Sequence, residues 1–170
     1  PSDETQTKWM IEEISKTKNP TYVRLGRAAT PLVYENTSNF EIGKAIMHGE
    51  GEDATIFATG MMVAEALKAK EMLEKENINV RVVDVHTIKP LDKEMIIKCA
   101  KETKKLISVE EHSKLGGLGS AISEVLVENY PTALKIMGIN DSFGKSGKAS
   151  ELLKYFKLTA EDIYENVKIM

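Results

Sequence analysis

Apolar residues in this chain fall into two kinds of block, and the blocks take turns. Val80 to Val85 is nearly all valine, interrupted by Arg81 and Asp84. Branching at Cβ favours an extended backbone, and so continuous a run predicts a strand covered on both faces. Lys89-Pro90 closes the loop that follows, since proline cannot serve a ladder and turns the residue before it away from helical angles. Asp92 is a good N-cap, and the spacing predicts a helix from there to Lys104 with Ile96, Cys99, Ala100 and Thr103 on one face. The same grammar recurs on both sides. Ala54 to Gly60 predicts a buried strand. Met61 to Glu76 predicts a helix with Met62, Ala66, Ala69 and Leu73 inward, and with Lys70–Glu74 and Glu71–Lys75 as i,i+4 pairs outside. Leu106 to Glu110 predicts a third buried strand. A glycine-rich turn, Gly116-Gly117-Leu118-Gly119-Ser120, then opens a helix with Leu118, Ile122, Val125 and Leu126 inward, stopped by Pro131. Leu134 to Ile139 predicts the last strand. Two short helices follow a polar loop from Asn140 to Lys148, the second opening on the capping-box pattern Thr159-Ala160-Glu161-Asp162.

Strand, helix, strand in this order predicts right-handed crossovers and parallel pairing. Phe40 to Met47 predicts a shorter strand around Ile42, Ala45 and Ile46 with no helix to cross over with, so it is expected as an antiparallel edge. The fold class that results is α/β: a three-layer α/β/α domain over residues 40–170, with a mostly parallel five-stranded sheet and one antiparallel edge strand.

The N-terminal segment reads differently. Asp3 caps a helix with Gln6 in capping-box spacing, Met10, Ile11 and Ile14 lie on one side with Trp9 beside them, and Asn19-Pro20 ends it. Thr21 to Leu25 predicts a short strand, and Gly26-Arg27 turns out of it. One helix and one strand cannot bury their own apolar faces. Residues 1–27 are therefore expected to be the end of a domain whose body lies elsewhere. Residues 28–39, with Thr30-Pro31 and the polar run from Glu35 to Asn39, have neither period and predict a linker.

Composition narrows the function classes. With 170 residues, 42% apolar and 29% charged, the chain can support a packed core. A net charge of -3 gives no electrostatic case for nucleic acid or a membrane surface, and no apolar run approaches the ~20 residues of a membrane span. The first residues lack a basic-then-apolar leader pattern, and the expectation is a soluble cytoplasmic protein. The single cysteine, Cys99, excludes an internal disulfide and a cysteine-based zinc cluster; its place on a core face reads as packing.

Candidate chemistry gathers at one strand end. Glu110, Glu111 and His112 finish the third strand, where open α/β sheets place ligands. They form an acid–base set, or else solvated or interface charges, since adjacent strand residues point different ways. Backbone N–H groups at Gly116, Gly117 and Gly119 could hold an anion at the helix start. The same glycines would equally serve a tight turn and close helix–sheet packing, and the spacing is neither a Walker loop nor a clean G-x-G-x-x-G. His86 is expected at the same sheet edge, His48 at the surface beside a turn, and Lys145 and Lys148 in solvent. No two histidines share an i,i+4 helical spacing.

Ala58-Thr59-Gly60, a helix with Val63 and Ala66-Leu67, then VVDVHTIKPLD, VEEHSKLGGLGSAI and the ending GINDSFGKSGKASELLKYFKLTAEDIYENV resemble, in that order, the C-terminal domain of the transketolase family. The resemblance covers essentially the whole chain and is greatest to the separate C-terminal subunit of split transketolases. Deoxyxylulose-phosphate synthase and the beta subunits of 2-oxoacid dehydrogenases share the domain. The resemblance implies an assembly in which thiamine diphosphate, held through Mg²⁺, carries a two-carbon ketol unit between sugar phosphates. It implies an N-terminal transketolase subunit or module as partner, a homodimer through this domain, and residues 1–27 as the last helix and strand of the pyrimidine-binding module. It implies no catalytic residue here and no cofactor bound by this chain alone, since no Gly-Asp-Gly occurs. Arg27 aligns with the family arginine that binds the sugar phosphate, a task suited to a guanidinium. Family members commonly follow that arginine with glutamine, and this chain has Ala28. The competing reading, from another class, is a stand-alone interaction or dimerisation module without a catalytic partner.

Overall fold

Five strands, β1 Ile46–His48, β2 Ala54–Ala58, β3 Val80–Asp84, β4 Leu106–Ser113 and β5 Leu134–Ile139, form one sheet in the order β1-β3-β2-β4-β5. This is seen in a computed structural model that describes residues 1–35 and 40–170; Asn36, Thr37, Ser38 and Asn39 of the polar run lie outside the described residues. Strands β2 to β5 pair in parallel, and β1 runs antiparallel along β3 with Met47 opposite Val83. The expected antiparallel edge strand is therefore present, in a mostly parallel sheet.

Side-chain alternation sorts the strands onto two cores. Ile56, Val82 and Ile107 face Met62, Ala66 and Leu73 of α2 (Met62–Glu74) and Ile163 and Val167 of α6 (Ala160–Lys168). Phe57, Val83 and Leu106 face Ile96 and Cys99 of α3 (Lys93–Thr103) and Leu118 and Ile122 of α4 (Leu118–Asn129). Each such side chain contributes roughly 1.5–3 kcal/mol by leaving water. Helix α1 spans Glu4–Ile14 and α5 spans Ala149–Tyr155. Caps stand where the residue types put them. Asp92 accepts from Met95 N at 3.1 Å, and its second oxygen takes Ala45 N at 2.9 Å, tying the approach to β1 onto α3. Thr159 and Asp162 close a reciprocal capping box. Arg81, within β3, is buried, donates to Gly51 O at 2.7 Å and pairs with Glu102 of α3.

Three expectations change. The edge strand is three residues long, because Glu41 O accepts Lys44 N at 3.0 Å and turns the chain where Ile42 was expected to extend. Helix α1 ends at Ile14, well before Asn19-Pro20. Thr21 to Leu25 is not a strand: it runs as coil, with Tyr22 87% exposed. A strand exists only beside a partner, and β branching alone supplies none. Among the described residues no helix is long and apolar enough to cross a membrane.

Candidate functional site

The C-terminal edge of the sheet brings two groups of polar side chains together, and only one was visible in the sequence pattern. At the end of β4, Glu110 is 5% exposed, and its Oε1 accepts Gly119 N at 3.2 Å. The N-cap of α4 is Gly117, which has no side chain to offer. Glu110 from the neighbouring strand does the capping, with its charge at the positive end of the helix dipole. A Cβ at Gly117 would overlap that carboxylate. A Cβ at Gly119 would lie 2.6 Å from Ile136 Cγ2 and 2.8 Å from Ser108 Oγ, so glycine lets α4 press onto β4 and β5. Gly116 turns the chain at φ +75°. Glu111 and His112 are exposed, and His112 Nδ1 lies 3.0 Å from the Ser113 carbonyl, which makes it the protonated nitrogen. The structure thus joins Glu110 with Gly117 and Gly119, and leaves Glu111 and His112 outside. The position where an anion could sit is filled by the protein's own carboxylate.

The second group forms around Asp84, the last residue of β3 and fully buried. Its Oδ2 accepts from Tyr34 OH at 2.6 Å, Gln6 Nε2 at 2.8 Å and Ser2 Oγ at 3.2 Å. Tyr34 OH also lies 3.0 Å from His48 Nε2. Since the phenol gives its proton to Asp84, that histidine nitrogen is the donor. Asp3 completes the arrangement: Oδ1 accepts Gln6 N at 2.8 Å, and Oδ2 accepts Val33 N at 2.8 Å and Tyr34 N at 2.9 Å. Trp9, Phe40 and His86 stack around it, the Trp9–His86 centroids 5.5 Å apart at 75° and the Trp9–Phe40 centroids 5.1 Å apart. Burial, then the Asp84 charge, push the Tyr34 phenol far above its ordinary range. Burial pulls both His48 and His86 below the ordinary imidazole value, against the opposing Asp84 charge.

Two expectations are corrected here. His48 is half-buried against Tyr34 rather than at the surface. The expected linker is not merely a connection, because Tyr34 within it is buried and bonded to the domain. Motif spacing does not mark Asp84 or Tyr34 as site residues, and it marks Gln6 only as a capping-box partner of Asp3, whereas its side-chain amide goes to Asp84. One signal was available: a carboxylate inside a run predicted to be covered on both faces must find donors somewhere.

Arg27 lies on the exposed coil that follows α1, and Arg24 Nη2 on that coil donates to the Glu111 carbonyl at 3.0 Å. Lys148 is exposed, and the exposed Lys145 sits over the Tyr155 ring, 4.2 Å from its centroid. Among the described residues no cluster of three or more histidine, cysteine, aspartate or glutamate side chains is arranged to hold a metal. The chemistry open to these groups is holding and positioning: Asp84 Oδ2 and Glu110 Oε1 accept from the protein's own donors, while Asp84 Oδ1 is buried with no hydrogen-bond partner among the described residues.

The sequence profile described as "Transketolase, C-terminal domain" matches residues 43–163. A protein of Methanocaldococcus jannaschii, provisionally named a transketolase C-terminal section, is 46% identical over 170 residues, covering 98% of this chain and 53% of that protein. One subunit of the apulose-4-phosphate transketolase of Phocaeicola vulgatus is 43% identical over 164 residues, covering 96% of this chain and 52% of its own length. A solved structure described as a split gene transketolase, inactive beta4 tetramer, superposes with a TM-score of 0.94 at 42% identity, over 99% of this chain and 55% of that one. The chain spans about half the length of these relatives.

Proposed function

This chain belongs to the transketolase C-terminal domain family, and on that premise we propose that it is the C-terminal part of a thiamine diphosphate-dependent transketolase that moves a two-carbon ketol unit between sugar phosphates. The observation that carries this is the likeness, at TM-score 0.94 and 42% identity, to a split gene transketolase over 99% of the chain. A stand-alone interaction module has no such support: α1 and the coil after it, which a free-standing domain would not need, fall within the same match.

In this reading residues 1–27 close the pyrimidine-binding module, residues 40–170 support and dimerise the assembly, and an N-terminal subunit or module supplies the diphosphate site. The described residues of this chain do not fit that last task. Mg²⁺ wants several oxygen ligands, and the helix end best placed for a phosphate carries Glu110 instead. No step of the reaction is therefore assigned to Glu110, Glu111 or His112. When bound in the assembly, the cofactor acts as the electron sink for the transferred unit. What this chain adds to the reacting centre is Arg27, whose guanidinium binds the sugar phosphate by paired hydrogen bonds.

Losing such a charge-assisted contact should cost roughly 1.5–3 kcal/mol. In the reconstituted enzyme, Arg27→Ala is expected to lower kcat/KM about 10- to 150-fold with phosphorylated substrates, and little with non-phosphorylated ones. Equal losses on both kinds would remove Arg27 from substrate recognition. Self-association through residues 40–170 is expected to give a dimer in sedimentation at micromolar concentration; a monomer there would assign dimerisation to other modules.

A further inference from the structure

We infer that the open edge of β5, with the adjoining flank of α4, is a surface on which a second copy of this chain docks, the two β5 strands pairing antiparallel across a two-fold axis. This rests on the reading that residues 40–170 self-associate, and it gives that association a place.

The sheet has two edges, and they are finished differently. Strand β1 is three residues long, and Tyr34 covers its end through His48. Strand β5 is six residues long, pairs only with β4 and carries one charge, Lys135. Its Leu134, Ile136 and Ile139 are half-buried. Protein folds protect sheet edges by brevity, charge, proline or a covering element, and a long apolar edge without them is a template for another strand. The N-terminal segment attaches elsewhere, at Asp84 of β3, His48 of β1 and the Glu111 carbonyl near the end of β4. Strand β5 lies at the opposite edge of the sheet from β1.

Helix α4 extends this edge into a second layer. Gly119 sits over two strands at once, since a Cβ there would meet Ile136 of β5 and Ser108 of β4. Neighbouring strands are ~4.8 Å apart, so a helix straddling β4 and β5 has its axis about 2.4 Å inside the outer strand. A two-fold at the edge then sets the two α4 axes about 10 Å apart, within the ordinary distance of packed helices. The levels agree too. From Gly119 to Ser123 the helix descends about 6 Å, and from Ile136 to Leu134 the strand descends about 6.6 Å, so Ser123 stands level with Leu134. With the axis at that level, Leu134 meets Leu134 of the second copy, and Lys135 meets its Ala133. Val127, one turn further along α4, comes level with its Gly119 and Ser120, where side chains are small.

The surface suits its own copy in shape and charge. Gly119, Ser123 and Val127 recur every four residues and form one ridge along α4. Val127 on that ridge is 74% exposed. Glu128 turns to the other flank, where Lys93 of α3 lies 4.0 Å away. No carboxylate of the ridge opposes its own copy, and the two Lys135 side chains stand on opposite sides of the axis.

The test uses the full chain with the other transketolase modules present. Ser123→Cys and Glu124→Cys enzymes are treated with a short bis-maleimide; the native Cys99 is buried and serves as a silent background. Cross-linked pairs of this chain are expected at position 123, on the axis, and not at 124, which is off the ridge. Val127→Glu, added to Ser123→Cys, places an unpaired charge in the contact and is expected to weaken association through this edge about 10- to 100-fold, read as lost cross-linking with an unchanged melting temperature. Equal products at 123 and 124 would mean random collision and overturn the inference. Copies that associate in sedimentation yet give no product at 123, or ignore Val127→Glu, join through another face; that also overturns it and leaves the self-association reading standing. Monomers at micromolar concentration would end both.

Discussion

A carboxyl group at the end of a strand covered on both faces needs donors, and at Asp84 Tyr34 and Gln6 both give theirs to one oxygen while the other has no partner among the described residues. The two histidines beside it answer burial with a lowered affinity for protons. Burial is the largest influence on both; the Asp84 charge opposes it, and Lys70 adds to the depression at His48. Their folded-state values therefore lie below the unfolded value of about 6.5, so the unfolded chain binds more protons once the pH drops beneath it. Stability from these groups is complete above about pH 6.5 and is lost as pH falls through the depressed folded values. Thermal melting between pH 8 and pH 5 is expected to show a declining midpoint that His48→Gln partly flattens. An unchanged slope in that variant would mean that other groups carry the acid sensitivity. None of this was legible from motif spacing. Tyr34 is 50 residues from Asp84 and Gln6 is 78 away, and pairings so distant leave no periodic trace.

Among the helices and strands, legibility followed how local the cause was. The inward face of α3, Ile96, Cys99, Ala100 and Thr103, is the face the 3.6-residue period marks. The caps at Asp3, Asp92 and Thr159 were equally local. Helix α4 was half legible. Its buried stripe was, but its cap was not, because Glu110 arrives from another strand. The sequence pattern left the glycine turn open between anion binding and tight packing, and the structure fills the anion position with Glu110. Removing that carboxylate leaves the buried Gly119 N–H at the helix start unpaired. Glu110→Ala is therefore expected to destabilise the domain by about 1–3 kcal/mol, and Glu110→Gln by less, since its amide oxygen still accepts. Denaturant unfolding measures both. A Glu110→Ala protein as stable as the parent would mean that the α4 terminus does not depend on this contact. The coil at residues 21–25 marks the opposite limit: its residues suit a strand, but pairing requires a neighbour that local pattern cannot guarantee.

For the molecule entire, alternating apolar blocks were enough to predict one sheet between two helical layers. The central strands β2, β3 and β4 each serve two cores, while α2 and α6 serve one of them and α3 and α4 the other. The order of motifs then pointed to the family, and a match over residues 43–163 agrees with it. What the domain adds to a reaction is harder to read from pattern, since its buried carboxylates are occupied in holding the fold and the N-terminal segment together. In the proposed division of labour this chain supports and positions, while the cofactor site lies in other modules. Ketol transfer between sugar phosphates, with saturating thiamine diphosphate and Mg²⁺, can be measured for the chain alone and again after the remaining transketolase modules are supplied. Turnover is expected only in the completed mixture; turnover by the chain alone would contradict that division.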